Sequence, residues 1–229
     1  MIVLALDTST WWASVAVVAD GDVLAAERER ASGSHAIELL PLVERTLAAA
    51  GVALAAVDAV AVTRGPGSFT GLRVGLSTAK GLAYATGARL VAVPTLEALA
   101  RSVVGATGTV LVLLDARKGE LYAGRFAADG AGGLRRSEAD RLVTIEAVTA
   151  TLPERGVVVG DAGEAYGDEL RRHAGPHLLL CEVAALAPVA IAVARLAAMR
   201  LAAGEADETM AVEPEYIRLS EAELGAVSA

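Results

Sequence analysis

The sequence predicts an α/β protein made of two successive domains with a cleft between them. Three observations carry this. Short apolar strand signals alternate with helical patterns along the chain, a βββαβα order recurs weakly in the second half, and each half opens on an apolar run ending in aspartate, Asp7 and Asp115. At 229 residues there is room for two domains of roughly 100 residues each. The seam falls at Gly105-Ala106-Thr107-Gly108, which divides the chain into 1–104 and 105–229, with the C-terminal helix and tail able to pack back on the first domain.

Each element has a local reason. Residues 2–6, 11–19 and 23–30 are strand signals, the last two joined by the hairpin turn Asp20-Gly21. Gly33-Ser34 opens a helix over 34–50, closed by Gly51. A buried strand over 57–63 runs into Arg64-Gly65-Pro66-Gly67-Ser68, and a helix follows over 69–86 up to Gly87. Residues 90–93 form a strand, and Pro94-Thr95 begins a short helix. In the second half, strands over 110–114 and 120–126 flank a Lys118-Gly119 turn. A strand over 157–159 then leads through Gly160-Asp161-Ala162-Gly163 into a helix ending near 172, and a long apolar helix covers 188–203.

Composition excludes several classes. With 54% hydrophobic and 21% charged residues, general disorder is ruled out. The longest uncharged run, residues 102–114, is too short for a helix that spans a bilayer. The first ten residues lack a basic leader segment, and the single cysteine, Cys181, cannot form an internal disulfide, so a cytoplasmic protein is expected. A net charge of −8 argues against gripping nucleic acid unaided. The apolar content is mostly small, with 23 glycines and only eight aromatic residues, which favours close backbone approach.

Three segments carry a resemblance: Leu4-Ala-Leu-Asp-Thr-Ser-Thr10, then Arg64-Gly-Pro-Gly-Ser-Phe-Thr-Gly-Leu-Arg-Val-Gly-Leu76 with Ala79-Lys80-Gly81-Leu82, and Leu114-Asp-Ala-Arg117. Ser34-His35, Leu39-Leu40-Pro41 and Pro214-Glu-Tyr-Ile-Arg218 extend it. Together they resemble the TsaB (YeaZ) family of the bacterial machinery that makes threonylcarbamoyladenosine in tRNA. The resemblance implies a two-domain actin-like fold of the sugar kinase, Hsp70 and actin type, with mixed sheets flanked by helices. It also implies a non-catalytic subunit that pairs with the homologous TsaD and works with TsaE. ATP and metal would then be used by the partners and no cofactor bound by this chain alone. tRNA would be met only through the complex, and without TsaD the chain would form a homodimer.

The residues themselves offer little independent chemistry. Asp7, Thr8 and Ser9 stand where actin-like ATPases hold a phosphate hairpin, yet these residue types also satisfy backbone donors in a tight turn, and Trp11-Trp12 gives phosphate no way in. Asp161 and Gly163 form the second candidate phosphate loop, and Asp161 reads better as an N-cap, with Glu164 adding negative charge. His35 has Leu39, not a second histidine, one turn on, while Gly175-Pro176 separates His173 from His177. A metal site therefore lacks its ligand set, which disfavours a metallopeptidase. Ser68 is outside a nucleophile-elbow motif, and Cys181 after three leucines reads as a buried apolar thiol. A stand-alone ATPase or phosphotransferase is the alternative function.

The two helices at 34–50 and 69–86 carry more apolar surface than one sheet covers, and Gly71, Gly75 and Ala79 recur every four residues. A docking face is expected there, with His35, Leu39, Leu42, Val43, Phe69, Leu72, Arg73, Leu76 and Lys80 as its contacts. On that reading Leu72→Glu or Leu76→Glu breaks the complex.

Overall fold

The computed structural model describes residues 1–31, 35–129 and 133–217. Arg218, Ser34 and the side chain of His35 lie outside the described part. The first half contains β1 (Ile2–Asp7), β2 (Trp12–Ala19), β3 (Asp22–Arg30), α1 (His35–Ala50), β4 (Ala59–Gly65), α2 (Phe69–Thr86), β5 (Arg89–Pro94) and α3 (Thr95–Arg101). The second contains β6 (Thr107–Arg117), β7 (Glu120–Asp129), β8 (Leu134–Arg136), β9 (Arg141–Thr144), α4 (Ile145–Thr149), β10 (Arg155–Gly160), α5 (Ala162–His173), β11 (His177–Glu182) and α6 (Val189–Ala202).

Both halves build the same sheet. The first runs β3-β2-β1-β4-β5, the second β11-β10-β6-β7-β8, with β9 also paired to β7. In each, the leading strand is antiparallel to its hairpin partner and parallel to the strand arriving after a helix: Asp7 faces Ser14 and Val3 faces Ala59, as Asp115 faces Leu121 and Thr109 faces Gly156. The repeat read in the sequence is therefore a structural one, and the short β8, β9, α4 and β11 complete it.

Five layers result. α1 and α2 cover the outer face of the first sheet through Leu39, Leu42, Val43, Leu47, Leu76 and Ala79. The inner faces of both sheets share one core with α3 and α6, including Val3, Ala5, Val91, Leu96, Val110, Phe126, Val159 and Val193. α4 and α5 cover the outside of the second sheet through Ile145, Val148 and Leu170. α6 belongs in space to the first sheet, touching β1, β2, β4 and β5, and its Ala190 N–H donates to the buried Ser14 Oγ at 3.0 Å. No helix among the described residues is long and apolar enough to cross a membrane.

Candidate functional site

The strand-end turn of the first half is shut. Asp7, Thr8, Ser9 and Thr10 are all buried. Asp7 Oδ1 accepts from Ser9 N–H at 3.1 Å, Ser9 Oγ at 2.6 Å and Thr63 Oγ1 at 2.8 Å. Thr8 presses into the start of α2, where its hydroxyl donates to the Gly71 carbonyl at 2.7 Å, and Ser68 N–H donates to the Ser9 carbonyl at 2.7 Å. The glycines make this possible. A Cβ on Gly71 would lie 2.0 Å from Thr8 O, one on Gly75 2.2 Å from Thr8 Oγ1, and one on Gly67 2.4 Å from Ser9 O. The backbone that approaches α2 along its small residues is thus the chain's own turn, not a partner's. A phosphate in this corner would have to displace Thr8, so the residues do not fit a nucleotide phosphate here.

The matching corner of the second half is open. Asp115, Arg117, Asp161 and Glu164 line a cleft of about 470 Å³ with Trp11 and Arg30 of the first half. Asp161 stands at the N-cap position of α5, but its side chain makes no capping bond. Its Oδ1 instead accepts from Asp115 N–H at 2.9 Å and so ties the helix start to β6. Burial pushes the Asp161 carboxyl up to about 6; the Asp115 N–H opposes this, the Asp115 and Glu164 carboxylates reinforce it, and Arg117 opposes it. Arg117 pairs with Asp115 at 3.0 Å and lies 5.4 Å from the Trp11 ring, while Arg30 meets Glu164 at 3.3 Å. Gly163 has open space, its nearest contact for a Cβ being Glu182 Cγ at 3.6 Å.

Among the described residues no group of three His, Cys, Asp or Glu is placed to hold a metal. His173 ends α5 and His177 starts β11, so the two do not share a helix face. Ser68 caps α2, accepting from Gly71 N–H at 3.2 Å. Cys181 is only partly buried, not the core thiol the leucines suggested, because β11 is a sheet edge; burial and then Glu182 raise its pKa.

The helix face needs correction residue by residue. Leu39, Leu42, Val43, Leu72 and Leu76 are core side chains, each at most 3% exposed, so they cannot be the surface contacts expected of them. Their stripe meets the sheet, and a glutamate at Leu72 or Leu76 would break the fold before any complex. The outward residues are Ile37, Leu40, Phe69 and Tyr84, 77%, 50%, 43% and 84% exposed, with Arg73 also outward. Ile37 and Leu40 belong to the apolar circumference that the sequence assigns to the first helix but were not among the expected contacts, and Tyr84 was not singled out at all. The signal was present in the offset between the stripes, since 69, 73, 77, 81 and 84 follow helical spacing on the flank beside Leu72, Leu76 and Ala79, turned away from the sheet by about a third of a turn.

The tail packs back on the first half. Asp207 N–H donates to Leu90 O at 3.0 Å, Lys80 Nζ to Met210 O at 3.2 Å, and Glu215 N–H to Arg64 O at 2.7 Å. The Glu215 carboxylate lies 3.1 Å from Arg64 Nε. Gly65, at φ +130°, would place a Cβ 2.3 Å from Glu215 O, so this glycine admits the tail.

The repeated βββα topology around a central cleft defines a protein of the actin-like, sugar-kinase type, here with its first phosphate corner packed shut. The activator of the 2-hydroxyisocaproyl-CoA dehydratase from Clostridium difficile, solved with bound ADPNP, shares that fold at 13% identity and TM-score 0.52, over 89% of this chain and 97% of that one. Residues 27–161 match the family model of TsaD, tRNA N6-adenosine threonylcarbamoyltransferase. Across 223 residues the chain is 33% identical to the tRNA threonylcarbamoyladenosine biosynthesis protein TsaB of Escherichia coli K12, covering 95% of each. The structure of YeaZ from Pseudomonas aeruginosa superposes with TM-score 0.77 at 34% identity, over 94% of this chain and 99% of that one. The chain belongs to the TsaB (YeaZ) family.

Proposed function

We propose that this chain is a non-catalytic subunit in tRNA threonylcarbamoyladenosine biosynthesis, docking by the outward faces of α1 and α2 onto a TsaD-type subunit and working with TsaE in the cytoplasm. The observation that carries the reading is the packed turn at Asp7-Thr8-Ser9, which leaves the first phosphate corner of an actin-like fold occupied by protein. Such a chain contributes surface rather than chemistry. It needs no nucleotide or metal of its own, since ATP and metal belong to the partners, and it meets tRNA only within the assembly. Ile37, Leu40 and Tyr84 give α1 and α2 an exposed apolar face that the first sheet does not use. In the absence of the partner the same face pairs two copies.

The test uses tRNA from cells lacking this chain, complemented with Ile37→Asp, Leu40→Asp or Tyr84→Asp. These variants keep the wild-type melting temperature, fail to co-purify with the TsaD-type subunit, and leave the modified nucleoside absent. Full modification by a folded Ile37→Asp/Leu40→Asp variant would sink the docking assignment. Nucleotide turnover by the isolated chain that vanishes in Asp7→Asn would overturn the non-catalytic role.

A further inference from the structure

Three cations stand along α2 and the end of β4, and the tail treats them differently. Arg64 is matched by the Glu215 carboxylate and Lys80 is spent on the Met210 carbonyl. Arg73 is gripped without being neutralised. Its guanidinium carbon lies 3.7 Å from the Phe69 ring centroid and 5.8 Å from that of Tyr216, the two rings themselves being 5.2 Å apart. Arg73 Nε donates to the Tyr216 hydroxyl at 2.9 Å. No carboxylate among the described residues reaches ion-pair distance, and the two terminal nitrogens, which form the outer edge of the fork, have no hydrogen-bond partner among them.

An exposed arginine ordinarily loses side-chain entropy when it forms an ion pair, which is why surface pairs are worth little. Here that loss is already met by the stack, so the fork is preorganised for a planar, two-oxygen acceptor. The surroundings choose between acceptors. Along the same face Thr70, Ser77 and Tyr84 are uncharged, Lys80 is already hydrogen-bonded to the Met210 carbonyl, and the whole chain carries −8, whereas a phosphate backbone is gripped by clustered free cations. Gly81 has nothing within 4 Å of a Cβ position, so a partner helix can come close toward the C-terminal end of that face.

We propose that Arg73, stacked on Phe69 and hydrogen-bonded to the Tyr216 hydroxyl, is the charged anchor of the docking face and takes a carboxylate of the partner subunit as a forked ion pair, with tail residue Tyr216 holding it in the receiving orientation. This rests on the docking reading above. It also gives the tail a role: Tyr216 prepares a binding residue that sits on a different part of the chain.

Titration of the purified TsaD-type subunit into wild type, Arg73→Gln, Arg73→Lys, Tyr216→Phe and Gly81→Arg tests it. Arg73→Gln weakens binding about tenfold or more and flattens its dependence on salt, the loss expected for a hydrogen-bonded ion pair. Arg73→Lys recovers only part, because an ammonium neither forks nor stacks as a guanidinium does. Tyr216→Phe removes the hydroxyl acceptor and costs about threefold. Melting temperatures of all four variants stay at the wild-type value, and Arg73→Glu is rescued by one acidic-to-arginine reversal on the partner. Wild-type affinity and salt response in Arg73→Gln, with Gly81→Arg still abolishing binding, would overturn the anchor and leave the docking face intact. Loss of tRNA retention by the assembled complex, with partner affinity unchanged, would reassign Arg73 to phosphate and equally overturn the proposal. If wild type does not bind the TsaD-type subunit, both the docking reading and the anchor fall.

Discussion

The two halves fold one topology twice and finish the same corner in opposite ways. At the end of β1, Asp7 is buried under three donors and Thr8 fills the start of α2. At the end of β6, Asp115 faces a cleft and is met by Arg117, and the start of α5 stays open around Gly163. The difference lies in what the helix-start glycines admit. Gly71 and Gly75 bring a neighbouring turn to within bonding distance, whereas Gly163 has no backbone against it. A glycine-rich helix start is therefore no sign of an anion site until the atom occupying its space is known.

The comparison breaks most sharply at these glycines. Gly71→Ala pushes a methyl group into the Thr8 carbonyl and should cost about 2–4 kcal/mol, read as a lower urea midpoint at unchanged slope. Gly163→Ala, in open space inside a helix, should be neutral or gain up to about 1 kcal/mol. Equal effects at both would mean that the two corners are packed alike.

The aspartates come next. Asp7→Ala leaves Ser9 and Thr63 without their acceptor and should cost about 2–3 kcal/mol by the same assay, while Asp115→Ala, losing a pair to an exposed guanidinium, should cost at most about 1 kcal/mol.

Asp161 sharpens the contrast by pH. Its folded pKa of about 6 lies above that of an unfolded aspartate, so the folded state holds the proton more tightly. Stability from this group is greatest below about pH 4 and falls as the pH rises to 6, after which the loss is constant. Asp161→Asn keeps an oxygen for Asp115 N–H and should raise stability by of order 1 kcal/mol at pH 7.5, the gain disappearing toward pH 4. A pH-independent effect would show that the carboxyl is not strained. The smallest change is at Glu164→Gln, which removes an exposed pair with Arg30 and should alter the midpoint by less than about 0.5 kcal/mol.

Much of the fold was legible because strand ends, hairpin turns and helix-closing glycines are local. Asp20-Gly21, Gly51 and Gly87 each mark a boundary that the structure keeps, and 69–86 is the helix the spacing predicts. The repeat was legible for the same reason, although β8, β9 and α4 are too short for periodicity to register. The outward face of α1 and α2 was harder. An amphipathic helix announces its apolar stripe, and that stripe normally meets its own sheet, as Leu76 and Ala79 do. The face outside the core is written in the residues left over, Ile37, Leu40, Phe69 and Tyr84, which resemble ordinary scatter until burial separates them from the stripe. That the tail can return to the first half was legible, but its partners there, Leu90, Lys80 and Arg64, were not, because they are more than a hundred residues away and follow no period.

The position of α6 has a consequence for synthesis. The inner face of the first sheet, built from residues before 100, is covered by a helix at Val189–Ala202, and Ser14 receives its hydrogen bond from Ala190. A chain leaving the ribosome therefore carries an almost finished sheet with much of one apolar side bare until α6 emerges. Late closure of this kind favours slow, all-at-once folding over stepwise completion of the halves, and exposes nascent chains to chaperones. A stop codon anywhere before α6 would yield an aggregating product rather than a stable first domain.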